Sequence, residues 1–469
     1  MLFNSWMFPL FLAVVLTLYF VLRHRGQNIM LLLASYFFYA CWDWRFLGLL
    51  ILSTSTDWTL ANLISRQSSR QIAKMYVATS VAINLVFLGF FKYFNFFVDS
   101  LSALLGVFGV TGLEVHLQVI LPVGISFYTF QSISYIVDVY RGDVEPAKNP
   151  IDFALFVAFF PHMVAGPIMH SRDLLPQIQH PRHTSRVQVR EGAWLMLWGF
   201  FKKLVIADNL APVVNQVFAS ESVQSGATVL VAVYAFAYQI YCDFSGYTDI
   251  ARGVAKIMGV ELMLNFNQPY RALNPPDFWR RWHISLSTWL RDYLYIPLGG
   301  NRRGQWLTYR NLILTMVLGG LWHGAAANFV LWGLYHGGLL VAHRIITQEW
   351  KLLQWDGWIG RLVSQIVMFH AVCYGWLLFR ATSFEQIGNF TRALFLGPWT
   401  DKDLSPLIAL LGLLAVMLWL VELWVKNADD PSSSCGWNYG LGPVVCGLLV
   451  VIVVILSAPG GQSFIYFQF

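Results

Sequence analysis

Apolar runs follow one another along most of the 469 residues, interrupted by short polar or basic stretches and rarely alternating with them. Crossing the hydrocarbon core takes about 20 apolar residues, fewer where a segment is re-entrant or packed inside protein. By that measure candidate spans cover 6–22, 29–42, 46–64, 75–91, 119–139, 151–163 and 193–206, then 228–241, 312–322, 328–345, 362–378, 407–425 and 444–457. Several are too short to cross alone. The pattern therefore predicts an all-α polytopic membrane protein with about eleven spans plus buried or re-entrant helices. No fixed-period repeat is visible, and the whole of 1–469 reads as one membrane domain with its chemistry in 119–343. A polar connector at 426–438 precedes the last span. The first residues lack a basic region and a small-residue cleavage site, so the first apolar run reads as a retained span.

Composition sharpens the class. The chain is 57% hydrophobic and 12% charged, with a mean hydropathy of +0.55. Soluble domains carry about 25% charged residues, so this chain cannot cover a globule with polar surface and needs lipid as its outer solvent. Its 20 Trp and 36 Phe exceed what a plain bundle needs, and they suit interfacial belts and internal cavity walls alike. The formal charge of +6 bears first on orientation and contact with anionic lipid. Basic residues collect at 23–25, 66–74, 172–190 and 271–310, which the positive-inside rule places on the cytoplasmic side, leaving the N-terminus outside. Cys41, Cys242, Cys373, Cys435 and Cys446 show no metal spacing and no disulfide pattern, and read as packing residues. No metal site and no nucleic-acid partner are called for.

Against this background a histidine stands out. His323 sits among Leu318, Gly319, Gly320, Leu321, Trp322, Gly324 and three alanines, with no acid, base or metal ligand beside it. An ionisable group at membrane depth is costly, so it points to function. The small residues let another helix or a ligand approach closely. Burial keeps an imidazole neutral, the form a general base requires. A helix-packing role is the alternative.

A second histidine, His283, follows Phe278, Trp279, Arg280, Arg281 and Trp282. Asp277 is the expected N-cap of a helix in which Trp279, Trp282, His283, Leu286, Trp289, Leu290 and Tyr293 recur at three- and four-residue spacing, giving one apolar stripe. Arg280, Arg281 and Arg291 fall away from its centre, so the helix can lie in the interface with its arginines toward headgroups or an anionic ligand. The local pattern leaves His283 open between packing and chemistry. Asp243, Ser245, Tyr247 and Asp249 can orient a histidine or start a helix, and His162 lies in a broken-helix pattern at 160–167. His336 and His343 read as core or interface residues, and His24, His180 and His183 as solvated loop residues. No phosphate loop, HExxH or GxSxG occurs, which removes serine-hydrolase and metalloprotease readings.

These strings resemble the membrane-bound O-acyltransferase family, and within it the bacterial branch that O-acetylates alginate. The resemblance rests on 121–130, 160–167, 243–249, 265–270, 278–295 and 318–324, with the closing Phe464, Ile465, Tyr466, Phe467, Gln468 and Phe469. It implies a ring of transmembrane helices around a central tunnel, with His323 as the catalytic histidine and His283 as the second motif residue. It also implies a multi-pass protein of the bacterial cytoplasmic membrane that moves an acyl group, most simply acetyl, from a cytoplasmic thioester toward a hydroxyl across the membrane.

Acetyl-CoA is the implied donor substrate, with no permanently bound cofactor, and Arg280, Arg281, Arg302 and Arg303 are candidates to meet its phosphates. Contact with lipid headgroups explains the same arginines. The implied partners are an extracytoplasmic SGNH-type acetyltransferase, a polysaccharide acceptor such as alginate or cellulose, and membrane lipid. Two alternatives stay open: D-alanyl transfer to teichoic acid from a carrier-protein thioester, and a transporter or flippase. The latter predicts inverted repeats, which the sequence does not show.

Overall fold

The computed structural model describes residues 1–109, 117, 120–164, 166–220, 224–349, 357–400, 404–424, 442–458, 462, 464 and 465. The expected connector at 426–438, Cys435 and the closing 466–469 lie outside the described residues. Every regular element among the described residues is helical. Among the described residues six helices are long and apolar enough to cross a membrane, and Met7–Val21 and Gly442–Leu456 are shorter apolar ones. The remaining helices are shorter or carry too many polar positions to meet that measure. The protein is a multi-pass, helical membrane protein.

The chain divides into two compact units, with two of the three boundaries inside helices. The first comprises Met1–Val189 and Val254–Met263. It holds α1 (Met7–Val21), α2 (His24–Asp43), α3 (Arg45–Arg66), α4 (Arg70–Leu88), α5 (Phe94–Val107), α6 (Ile125–Arg141), α7 (Pro150–Ala158), α8 (Phe160–Met163) and α9 (Ser171–Gln179). A π-helical turn, Gly89–Tyr93, joins α4 to α5. Between helices that both face lipid, apolar burial drives little association, and hydrogen bonds between buried polar groups do more. Asp57 of α3 serves this purpose, accepting from Ser80 (2.6 Å) and Asn84 (3.0 Å) of α4. His162 follows the break that the sequence predicts: Phe159, at φ −53° and ψ 107°, separates α7 from α8. His24 departs from its expected solvated role. As the first residue of α2, it is hydrogen-bonded to the carbonyl of Ile178 at 2.9 Å.

The second unit comprises Arg190–Gly253 and Leu264–Phe469. Its helices are α10 (Arg186–Phe200), α11 (Asp208–Phe218), α12 (Gly226–Ile257), α13 (Pro275–Arg281), α14 (Ile284–Leu290), α15 (Gln305–His323), α16 (Ala327–Arg344), α17 (Trp358–Arg380), α18 (Phe384–Leu396), α19 (Ser405–Trp424) and α20 (Gly442–Leu456). The expected span at 228–241 is the first half of α12, which runs 32 residues without a break. Asp243, Ser245 and Asp249 therefore sit in mid-helix and start nothing. Their partners come from the π-helical turn Phe201–Ala207: Lys202 Nζ meets Asp249 (2.6 Å) and Ser245 (3.0 Å), and Lys203 Nζ meets Asp243 and Asp208 (both 2.7 Å). Charges taken out of water survive when paired and hydrogen-bonded, and these are buried on every side. Three of the described cysteines, Cys242, Cys373 and Cys446, are buried as expected, and Cys41 is exposed.

Candidate active site

The small-residue run around His323 lets two helices nearly touch. A methyl group on Gly320 would stand 2.2 Å from the carbonyl oxygen of Phe329, and one on Gly333 would stand 2.4 Å from that of Met316. Helices α15 and α16 can close into a hairpin only with glycine at these positions. His323 is the last residue of α15, and the chain leaves the helix at once, with Gly324 extended at φ −158° and ψ 150°. The imidazole is 4% exposed and enclosed by the rings of Trp322, Trp332 and Phe379 at 5.1–5.3 Å. His323 also lines a cavity of about 360 Å³, whose other walls include Trp279, Arg280, Arg291, Thr315 and Trp332.

His283 reaches its position by a break that the sequence reading did not foresee. The single helix expected over 277–293 is two short helices, α13 and α14, followed by a π-helical turn over Arg291–Tyr295. Between them His283 takes a left-handed conformation, φ 43° and ψ 54°. A residue with a side chain enters that region at a cost of order 1–3 kcal/mol and stays only where its surroundings demand it. The expected N-cap is also corrected. Asn274 caps α13 by accepting from the Asp277 backbone N–H, while the Asp277 carboxylate binds Arg281 at 2.9 Å. Asn274 can reach back over the two prolines that open the helix, whereas Asp277 is already within its first turn.

What holds the break is Asn265. Its Oδ1 accepts from the Ser285 backbone N–H (3.1 Å), the Ser285 hydroxyl (2.9 Å) and His283 Nδ1 (3.2 Å), and its backbone carbonyl accepts from Ile284 N–H (2.9 Å). Because a backbone N–H can only donate, the atom facing it is the amide oxygen, and Nδ1 of His283 must carry the proton. Burial pushes the His283 pKa down to about 3, so the ring is neutral, with Nε2 as its basic nitrogen. The two imidazole rings lie 6.3 Å apart. His283 is not among the walls of the cavity that His323 lines.

A family model for the membrane-bound O-acyltransferases matches residues 146–379. Among similar proteins is one named probable alginate O-acetylase in Azotobacter vinelandii, 45% identical over 84% of this chain and 78% of the relative. Another so named, in Pseudomonas putida, is 40% identical over 98% of both chains. The chain belongs to the membrane-bound O-acyltransferase family. A peptidoglycan O-acetyltransferase of Helicobacter pylori is 31% identical over 100% of this chain and 98% of the relative. Membership makes the protein an O-acyltransferase, and the transporter reading falls away.

Within this O-acyltransferase the predicted site residues separate. His323, His283 and Arg280 come together in the second unit, with Arg280 on the cavity wall. Arg281 is turned to Asp277 and the Asn267 carbonyl, and Arg302 and Arg303 are exposed on the turn before α15. His336 is buried core, as expected, beside Trp332 and Trp279. Arg291, which the apolar spacing groups with Arg280 and Arg281 as an arginine turned to headgroups or an anionic ligand, reaches the cavity wall and pairs with Asp292 at 2.7 Å. One residue has no part assigned from the sequence. Asn265 stands in a motif string, but its partners are 18–20 residues further along the chain.

Proposed function

We propose that this enzyme transfers an acetyl group from acetyl-CoA, supplied on the cytoplasmic side, to a hydroxyl on the route to an exported polysaccharide. The observation that carries this reading is His323, a buried imidazole bordering a cavity that Arg280 and Arg291 also border. A thioester at the imidazole with its phosphates at the guanidiniums uses both features, since bidentate guanidinium contacts suit phosphate. The acceptor hydroxyl attacks the thioester carbonyl carbon as the His323 imidazole takes its proton. The tetrahedral intermediate collapses, the C–S bond breaks, and the imidazolium returns the proton to the departing CoA thiolate. Proton transfer of this kind contributes about 10²–10⁴-fold, and holding donor and acceptor together supplies the rest. Neutral His283, fixed by Asn265 with its ring 6.3 Å from that of His323, stabilises the charge that develops there.

The names of the relatives favour alginate or a related polymer as the final acceptor. On this reading the protein resides in the bacterial inner membrane with about eleven crossings around a tunnel, and an SGNH-type partner outside completes the transfer. The test uses wild type and His323→Ala in nanodiscs with radiolabelled acetyl-CoA, following CoA release and label on an added partner. Turnover in wild type, lost at least about 100-fold in the variant, is the expected result. No turnover of acetyl-CoA, but release from an aminoacyl carrier protein, would reassign the enzyme to D-alanyl transfer.

A further inference from the structure

A second and larger cavity, about 550 Å³, lies in the same unit and lacks both histidines among its walls. Its size suits a small-molecule site, for which about 300–1,000 Å³ is usual. Two helices that are long and apolar enough to cross a membrane, α17 and α19, frame it, and Tyr238 and Tyr241 of α12 with the 268–271 turn back it. Its composition is graded. Leu362, Ile366 and Trp419 among its walls are each about half exposed, on helices apolar enough to cross a membrane. Its polar groups include Gln268, Arg271, Gln365 and Glu422, with His370, bonded to Tyr234 and the Ile366 carbonyl, and three tyrosines beside them.

Those polar groups include one charge of each sign. Glu422 Oε1 accepts from Tyr241 Oη at 2.8 Å, and Arg271 Nη1 donates to Gln268 Oε1 at 2.8 Å. Among the described residues neither group makes an ion-pair contact, and the Lys202 and Arg271 charges act on Glu422 only from a distance. Away from water, an ionised group is costly unless a counter-charge meets it. A carboxylate and a guanidinium in one cavity, behind an apolar mouth, match a ligand with an ammonium, a phosphate and hydrocarbon chains. We propose that this cavity binds a zwitterionic phospholipid with a primary ammonium, its nitrogen on Glu422, its phosphate on Arg271 and its chains leaving between α17 and α19. The ammonium offers three N–H donors to the carboxylate, and the guanidinium fork fits the phosphate. Phosphatidylglycerol offers the same phosphate but carries neutral hydroxyls in place of the ammonium, so it lacks the charged contact to Glu422.

The test reconstitutes the full chain in nanodiscs holding equal amounts of phosphatidylethanolamine and phosphatidylglycerol, and reads the retained lipid by native mass spectrometry. Wild type is expected to retain phosphatidylethanolamine about tenfold over phosphatidylglycerol, as one charge-assisted hydrogen bond allows. Glu422→Gln should remove that preference, and Arg271→Gln should lower retention of both lipids. Ile366→Trp leaves both charges in place and narrows the mouth. It should reduce retention as well, which guards against charge variants that merely fold poorly. Equal retention of the two lipids by wild type would overturn the proposal, as would an unchanged preference in Glu422→Gln. Displacement of the lipid by a soluble uronate oligosaccharide would assign the cavity to a sugar instead, and would also overturn it.

Discussion

At the scale of the residue, the site depends on one asparagine satisfying several donors at once. Replacing Asn265 with Leu strands the Ser285 N–H and His283 Nδ1, each buried, at about 1–3 kcal/mol per group. Asn265→Leu is expected to lower kcat by at least about tenfold with little change in KM for the donor, and steady-state CoA release measures both. His283 is held neutral from its ordinary 6.5 down to about 3. Across that window acid favours the unfolded chain, so this group's contribution to stability falls as pH drops. An acid limb of activity between about pH 5 and 7 therefore belongs to another group, and His283→Asn should leave its midpoint in place while lowering the rate. The arginines separate likewise. Charge reversal of Arg280 and Arg291 together should raise KM for acetyl-CoA, whereas reversal of exposed Arg302 and Arg303 should alter membrane level at most. Equal KM changes for both pairs would remove the cavity from donor binding.

At the scale of the element, the α15–α16 hairpin sets where His323 ends up. Gly320 faces the Phe329 carbonyl so closely that even a methyl group must push the helices apart. Overpacking of this kind costs about 1–3 kcal/mol or more, and backbone cannot move aside as a side chain can. Gly320→Ala should lower the melting temperature in detergent and the rate together. Gly338, on the partner helix α16 and with open space around its Cβ position, should tolerate alanine. The helix break at 282–283 shows the reverse relation between pattern and element. The spacing from Trp279 to Tyr293 is compatible with one continuous helix, but Asn265 offers the backbone a better set of hydrogen bonds when the chain turns there.

At the scale of the molecule, buried ion pairs join segments distant in sequence. Lys203 alone meets Asp208, Asp243 and the Gln462 carbonyl, drawing the region after α20 onto α11 and α12. Ile465 N–H adds a 2.6 Å bond to Asp243, and Phe464 packs on Tyr247 and Phe244, the latter 4.7 Å from the His283 ring. Removing one member of such a cluster leaves uncompensated buried charge, a loss of about 3–5 kcal/mol. Lys203→Met should therefore destabilise the protein strongly in a thermal-shift assay. Lys203→Met with Asp243→Asn should recover part of the loss, because one stranded carboxylate is gone.

The chain by itself determined the medium and the candidates. Scarce charge and long apolar runs require lipid outside, and His323 among glycines and alanines in such a run marks itself, because nothing nearby in sequence offsets its cost. Asp243 and Asp249 were visible as buried acids, but their lysine partners stand 40 and 47 residues upstream. The break at His283, the service of Asn265 and the entry of Arg291 into the cavity were decided only by tertiary structure. Periodicity reports which face of a helix is apolar. It carries no information about a hydrogen-bond acceptor 18 residues away that makes breaking the helix the better arrangement.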